Sequence, residues 1–356
     1  MTSTQLDDPA TGTDRAAPRQ GIRDRIGDGA EAFALLGLAV VVAIFFSVLP
    51  RTSDVFPSVA NFQALSGSQA VLAVAALAVL VPLICDEFDL SVGANLGLAG
   101  ILSASAMSSG APLIVGVLIA IGSGMAVGAV NGLLVTRAHV NAVVVTLGVA
   151  TIIHGVVQAK THGKSITEGI PLSLTDIGGG TWLGVPRILV IALLAAGFLY
   201  YVLAHTPYGR QLYMVGANRD AARLVGLRTD RLLFSTFVIA GALAGLAGIL
   251  QVGRAGSAVP STGDTFTLPA FAAAFLSAAA IRPGRFNVWG AIVAIAFLAV
   301  INGGLNLAGA ENYIQDFVNG TALIIGVGLA VWLRRTRRVV ARAAPRDEPA
   351  AQPASP

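Results

Sequence analysis

The sequence predicts an all-α, polytopic membrane protein with about ten transmembrane helices. Three observations predict it. Mean hydropathy is +0.75 over 356 residues, with 55% hydrophobic and 12% charged side chains, which lies outside the range of a water-soluble domain. Glycine, proline and charge divide the chain into repeated apolar runs of about 20 residues, the length a helix needs to cross hydrocarbon while satisfying its own backbone. The strict apolar–polar alternation of a membrane barrel is absent.

The first apolar run, 31–49, follows a polar stretch containing Asp7, Asp8, Pro9, Pro18, Arg15, Arg19, Arg23 and Arg25. That is a poor secretory signal, so residues 1–30 are expected to be a disordered cytoplasmic tail before a retained first span. Spans two and three, at 69–85 and 91–107, are separated by the acidic stretch "DEFDL"; spans four and five follow at 112–135 and 141–158. A longer polar stretch precedes span six at 187–204, and spans seven to ten lie at 231–253, 266–281, 287–305 and 313–333. Several are short and the eighth carries Pro269, so broken or re-entrant helices are expected. A basic, Pro/Ala-rich cytoplasmic tail occupies 334–356, leaving 31–333 as the membrane domain. Ten spans divide into five and five, and an odd number per half sends the second half into the bilayer from the opposite side, the layout of an inverted repeat.

Charge supports this count. With both termini cytoplasmic, the inner side collects the arginines of both tails, Arg137, Arg210, Arg219, Arg223, Arg228, Arg231, Arg282 and Arg285. The outer side keeps only Arg51, Lys160, Lys164, Arg187 and Arg254 of the 23 basic residues, a positive-inside bias that fits a multi-pass protein of the plasma (inner) membrane.

Catalytic equipment is not legible. "GKS" at Gly163 lacks the glycine that a phosphate loop needs five residues earlier, where Gln158 stands. His139, His154, His162 and His205 form no metal-binding spacing, and no Gly-x-Ser-x-Gly elbow occurs, so no metal, cofactor or nucleic-acid partner is expected. The single cysteine, Cys85, reads as a packing residue.

What the spans do carry is close-packing chemistry. Gly124, Gly128 and Gly132 recur every four residues, as do Gly241 and Gly245, with Gly248 one turn on; small residues at this spacing let helix backbones approach. Their surfaces fit either a static bundle or sliding contacts. Uncharged polar residues add candidates for a solute path: Thr151, His154 and Gln158 on one face of span five, the pair Asn302 and Asn306, and Asn95. Asn131, Gln315 and Asn319 are further donors and acceptors. Amides and hydroxyls can exchange hydrogen bonds with a neutral, hydroxyl-rich solute, or instead bond neighbouring helices. The acidic group Asp86, Glu87 and Asp89 is expected to be solvated at the cytoplasmic end of span two, with Asp89 or Ser91 capping the next helix.

One segment interrupts the apolar pattern: "GANRDAARLVGLRTD", 216–230. Between Ala217 and Val225 two helical turns are expected, with Ala221, Leu224 and Val225 on an apolar side and Arg219, Asp220 and Arg223 on a polar side, bracketed by Gly216 and Gly226. A helix that short is marginal alone and needs a surface to lie against.

Five blocks in order make the reading specific: "FDLSVGANLGLAG" from Phe88, "NAVVVTLGVATIIHGVV" from Asn141, "TPYGRQLYMVGANRDAARLVGLRTDR" from Thr206, "FAAAFLSAAAIRPGRFNVWGAIVA" from Phe271, and "INGGLNLAGAENYIQDFVNG" from Ile301. Over about 60–333 the chain resembles the permease subunits of ribose-type sugar ABC transporters. The resemblance implies a non-catalytic homodimer or paired permease, a cytoplasmic ATPase that binds the ATP, and an extracytoplasmic sugar-binding protein. It implies that the loop 206–230 couples to that ATPase through Gly209, Arg210, Gly216, Ala217, Asn218, Ala221, Ala222 and Gly226. It also makes Asp89, Ser91 and Gly93 a structural motif. A monosaccharide is the implied cargo; nucleosides, a signalling (autoinducer) furanose and branched-chain amino acids are the same-superfamily alternatives. An ion-coupled secondary transporter is the alternative of another class, and would need Asp86 to Asp89, or His154, to be buried and titrating.

Overall fold

The computed structural model describes residues 22–343. In chain order the helices are α1 (Ile22–Val48), α2 (Val59–Ile84), α3 (Val92–Ser108), α4 (Leu113–Thr136), α5 (Ala142–Thr161), α6 (Leu172–Gly179), α7 (Arg187–His205), α8 (Pro207–Ala217), α9 (Arg219–Leu224), α10 (Thr229–Ala255), α11 (Thr262–Leu276), α12 (Val288–Leu307) and α13 (Asn312–Ala343). A two-residue hairpin, β1 (Thr181–Trp182) with β2 (Val185–Pro186), lies between α6 and α7, and a 3-10 turn at Ser277–Ala279 follows α11. Each expected span falls on a helix. Seven of these helices, among the described residues, are long and apolar enough to cross a membrane: α2, α4, α5, α7, α10, α12 and the part of α13 at Tyr313–Trp332. The chain is a helical, polytopic membrane protein. Of the expected tails, residues 1–21 and 344–356 lie outside the described residues, while α1 already begins at Ile22.

Helix α2 is the centre. It is apolar on every side, and 89% of its most apolar stretch is buried against protein, as a helix without a polar face must be. The corresponding shares for α4, α5, α7 and α13 are 22%, 33%, 28% and 11%, so these helices turn most of their apolar surface outwards. Around α2 pack α10, α11, α7 and α12, while α1 lies on α12.

The two glycine stripes turn out to be each other's partners. A Cβ added at Gly124 would collide with the carbonyl oxygen of Gly241, one at Gly128 with that of Phe237, and one at Gly245 with that of Ala120. The pairing order makes α4 and α10 antiparallel, and their backbones touch where no larger residue fits. Asn95 reinforces the layer by donating from Nδ2 to the carbonyl of Gly124 at 3.1 Å.

The chain breaks in two related places. After α2, residues 85–91 turn sharply, with Asp86 at φ +64, before α3 begins. After α10, residues 256–261 turn before α11, a helix of 15 residues interrupted by Pro269. Both α3 and α11 are shorter than the roughly 20 residues of a complete crossing. They meet at their first turns, where a Cβ on Gly93 would strike the Gly263 carbonyl and one on Gly263 the Gly93 carbonyl.

Candidate functional site

The segment after α7 forms a lever at one end of the bundle. Pro207 opens α8 behind Thr206, whose hydroxyl accepts from the N–H of Gly209 at 3.4 Å. Gly209 is packed so tightly that a Cβ would meet the Leu203 carbonyl, which folds α8 back from α7. Leu212 and Val215 are buried, and Tyr208 bonds Ser235 of α10 at 2.7 Å. At Asn218 the backbone becomes extended, and its side chain accepts from the N–H of Ala221 at 3.0 Å to start α9.

A short helix, α9, does lie between Ala217 and Val225, but the bracket expected at Gly216 requires correction. Gly216 is not a bracket but part of the last turn of α8, where a Cβ would run into the carbonyl oxygen of Ile84 at the end of α2. The inward residue of α9 is Ala222, 3% exposed, whereas Ala221, Leu224 (90%) and Val225 (69%) face outwards. The capping demand of Asn218 sets the helix phase, and across the six residues of α9 only Ala222 is buried in the bundle. Arg210 and Ala217 are also exposed, and Gly226, at φ +84, ends the lever in open space.

Charge ties the lever to the α2–α3 turn. Arg219 Nη2 lies 3.1 Å from Glu87 Oε1, with the Glu87 side chain 19% exposed. Burial pushes the Glu87 carboxyl above its ordinary value, and the Arg219 guanidinium opposes that shift. Arg223 closes the other side, with Nη2 2.8 Å from Asp230 and Nε donating to Thr229 at 2.9 Å.

The expectation of a solvated acidic group fails at Asp89. Its residue is 2% exposed, and Oδ1 accepts from the Ser91 N–H at 3.0 Å, the Ser91 hydroxyl at 2.6 Å and Asn131 Nδ2 at 3.4 Å. Hydropathy gives depth along a span but not sideways burial, and here α4 and α5 cover the turn: Asn131 also donates to Ser91 Oγ at 2.8 Å, and Thr146 Oγ1 accepts from the Leu90 N–H at 3.1 Å. Burial pushes the Asp89 carboxyl up, and the Ser91 and Asn131 hydrogen bonds pull against it. Gly93, one turn on, abuts Thr267 and Gly263.

The expected path residues fall in three places. Thr151, His154 and Gln158 remain on the outward face of α5, with His154 Nε2 3.3 Å from Asp264 Oδ1 at the start of α11. Asn302 and Asn306 instead join α12 to α13, Asn302 donating to Asn319 at 3.3 Å and Asn306 accepting from Gln315 at 2.8 Å. Asn95 is buried between α3 and α4. An apolar cavity of about 480 Å³ among α1, α2, α7 and α12, lined by Phe62, Leu65 and Gln69, contains none of them. Sequence reasoning missed Asp264 as the partner of His154 and the Glu87–Arg219 pair; no local spacing signals either.

Comparison with known proteins gives these features a setting. The family model described as "Branched-chain amino acid transport system / permease component" matches residues 61–327, from α2 into α13. The chain is 32% identical to the ribose import permease protein of Escherichia coli K12 over 303 residues, 83% of this chain and 92% of that one. It is 30% identical to the ribose import permease protein of Bacillus subtilis 168, covering 82% of this chain and 90% of that one. It is 29% identical to the D-allose transport system permease protein of Escherichia coli K12, covering 82% and 89%. No solved structure matches. With the model spanning most of the chain and its apolar helices, the protein belongs to the branched-chain amino acid transport system permease component family.

Proposed function

We propose that this chain is the translocating subunit of an ATP-binding-cassette importer for a monosaccharide, a ribose-like pentose or a hexose. The observation that carries the reading is the α8–α9 lever. It is fastened to the broken end of α2 by the Gly216–Ile84 contact and the Arg219–Glu87 pair, while its tip bares Leu224 and Val225. A bare apolar tip on a firmly seated short helix suits a lever that another subunit grips. That subunit is a cytoplasmic ATPase, which binds the ATP; coupling runs through Gly209, Arg210, Gly216, Ala217, Asn218, Ala221, Ala222 and Gly226. Relatives that import ribose, D-allose and autoinducer 2 support a small cargo of this kind, delivered by an extracytoplasmic binding protein.

Ten crossings in two inverted halves describe the membrane domain, 31–333, with both termini cytoplasmic. The contacts support it: α3 packs on α10 as α11 packs on α2, α4 on α10 as α12 on α2, and α5 on α3 as α13 on α11. Gly67 near the start of α2 lies against Arg254 at the end of α10, so the paired helices α2 and α10 run in opposite senses. Two copies facing each other across α5 would enclose Thr151, His154 and Gln158 in a central path.

Reconstitution tests the reading. Vesicles carrying this chain with its ATPase and binding protein should take up ribose or a related sugar on adding ATP, and continue after ion gradients are collapsed. Uptake abolished by that collapse, or ATP hydrolysis by this chain alone, would overturn it. A binding protein that captures leucine but no sugar would move the cargo to branched-chain amino acids, the class in the family's description.

A further inference from the structure

At the lever end of the bundle, separate chain segments enclose a small cleft of about 70 Å³: the last turns of α7, Tyr213 of α8, the turn after the 3-10 segment, and the first turn of α12. Its rigidity is built in. Ile281 stands at φ +61, a strained position for a β-branched residue, and persists because Asn287 over-determines the turn. Asn287 Nδ2 donates to the carbonyls of Ser277 at 2.9 Å and of Ala280 and Arg285 at 3.0 Å, while Oδ1 accepts from the Gly290 N–H at 2.7 Å.

That turn presents two cations. Arg282 lines the cleft, and the Arg285 guanidinium sits 5.4 Å from the centroid of the Tyr213 ring. Neither arginine takes part in an ion pair with a carboxylate among the described residues. The Tyr213 hydroxyl, donating to the Phe286 carbonyl at 2.8 Å, feels both charges: burial pushes its pKa up, and Arg285 and Arg282 pull it back. The positive end of the α12 dipole adds to the field.

The cleft adjoins a lipid-facing wall. Leu194, Phe198 and Tyr201 are 68%, 71% and 60% exposed at successive turns of one face of α7, the face that hydrocarbon must cover in a membrane-spanning chain. At its end Tyr201 stacks on His205, and Tyr200 packs 5.8 Å from Trp289, the aromatic composition of a membrane–water interface. At 19 residues, α7 is about 28 Å long, so its other end, where Arg187 lies over Trp182, marks the opposite interface.

We propose that this cleft binds the phosphate of an anionic membrane phospholipid, held by Arg282 and Arg285, with the acyl chains against Phe198 and Tyr201. Two guanidiniums with no carboxylate partner among the described residues suit a phosphate, which accepts their paired N–H groups, and a basic pocket between spanning helices at the membrane surface is where a headgroup reaches. The inference rests on the chain spanning a membrane and not on the cargo or the ATPase, so either can fail alone.

The test uses the full chain in lipid nanodiscs, with phosphatidylglycerol titrated into phosphatidylcholine and bound lipid read by native mass spectrometry after gentle delipidation. One phosphatidylglycerol per chain should be retained in preference to phosphatidylcholine. The double variant Arg282→Gln/Arg285→Gln should weaken retention about thirtyfold, and Arg282→Lys/Arg285→Lys should restore most of it. The lysine pair also guards against misfolding: if it folds and binds no better than the glutamine pair, the assignment is overturned. Millimolar inorganic phosphate that displaces the lipid and protects the chain as well would make this a free-phosphate site and overturn the lipid assignment. Unaltered lipid retention in the glutamine variant, with loss of ATPase association instead, would assign the arginines to a protein contact and equally overturn it.

Discussion

Glu87 and Arg219 join two parts of the chain that share no local sequence relationship: the turn between α2 and α3, and the first residue of α9. The Arg219 and Glu87 side chains are 36% and 19% exposed, so solvent still screens the pair in part and its worth to folding is about 1 kcal/mol. Its consequence is mechanical. Removing it by Arg219→Ala should leave thermal stability in detergent nearly unchanged while lowering transport per ATP hydrolysed, and Glu87→Arg/Arg219→Glu should restore part of the loss. Equal coupling in the parent and both variants would remove the pair from the lever.

The same pair predicts a pH dependence. Burial raises the Glu87 carboxyl despite Arg219. A group raised in the folded state contributes stability that is present below the ordinary carboxylate range and lost as pH rises through the raised value. The ion pair behaves oppositely, since it needs the charge. Mild acidification into that window should therefore weaken coupling without lowering the melting temperature through this group, and Glu87→Gln should flatten the coupling profile.

Gly216 should be the least tolerant position of the lever. A side chain there meets the Ile84 carbonyl, part of a helix end that cannot give way as a flexible side chain would. Gly216→Val should cost about 1–3 kcal/mol of stability and displace α8 from α2. Gly226→Ala, at positive φ but in open space, should cost about 1 kcal/mol through backbone strain. Thermal unfolding of the two variants measures the difference; equal losses would mean that Gly216 is kept for conformation and not for contact.

Leu224 and Val225 should carry docking and not folding. They are 90% and 69% exposed, so Leu224→Glu or Val225→Asp removes little buried surface and should shift stability by less than about 0.5 kcal/mol. Co-purification of the ATPase with the variant chain should nonetheless fall at least tenfold. Undiminished co-purification would place the docking surface elsewhere.

The sequence made the helices legible because Gly, Pro and charge mark their ends: α4 at Leu113–Thr136 and α7 at Arg187–His205 fall within a residue of the spans read from hydropathy. The glycine stripes of α4 and α10 were visible as surfaces of close approach, yet spacing says only that a neighbour exists and not which helix it is. The interruption at 216–230 was legible, and Leu224 and Val225 stand exposed on its apolar side, but the place of Gly216 inside α8 was not legible, because its close approach to the Ile84 carbonyl depends on a helix distant in sequence. His154–Asp264, Glu87–Arg219 and the burial of Asp89 stayed hidden since each depends on which distant helices converge, information that no single span contains.

Asp89 provides the sharpest electrostatic test. All three of its donors, the Ser91 N–H, the Ser91 hydroxyl and Asn131 Nδ2, reach the same oxygen, Oδ1. A protonated carboxyl can therefore keep every bond through Oδ1 while Oδ2 holds the proton, and the raised carboxyl favours that form. Asp89→Asn copies it: the amide oxygen takes the three bonds and the NH₂ group occupies the place of Oδ2. Its stability should stay within about 1 kcal/mol of the parent, whereas Asp89→Ala strands the donors and should cost about 1–3 kcal/mol. The parent gains stability from this group below the ordinary carboxylate range and loses it as pH rises through the raised value, so the melting temperature of Asp89→Asn should depend less on pH than that of the parent. If Asp89→Asn unfolds as readily as Asp89→Ala at every pH, the negative charge itself is required at this turn, and a neutral hydrogen-bonded junction between α2, α3 and α4 is the wrong description.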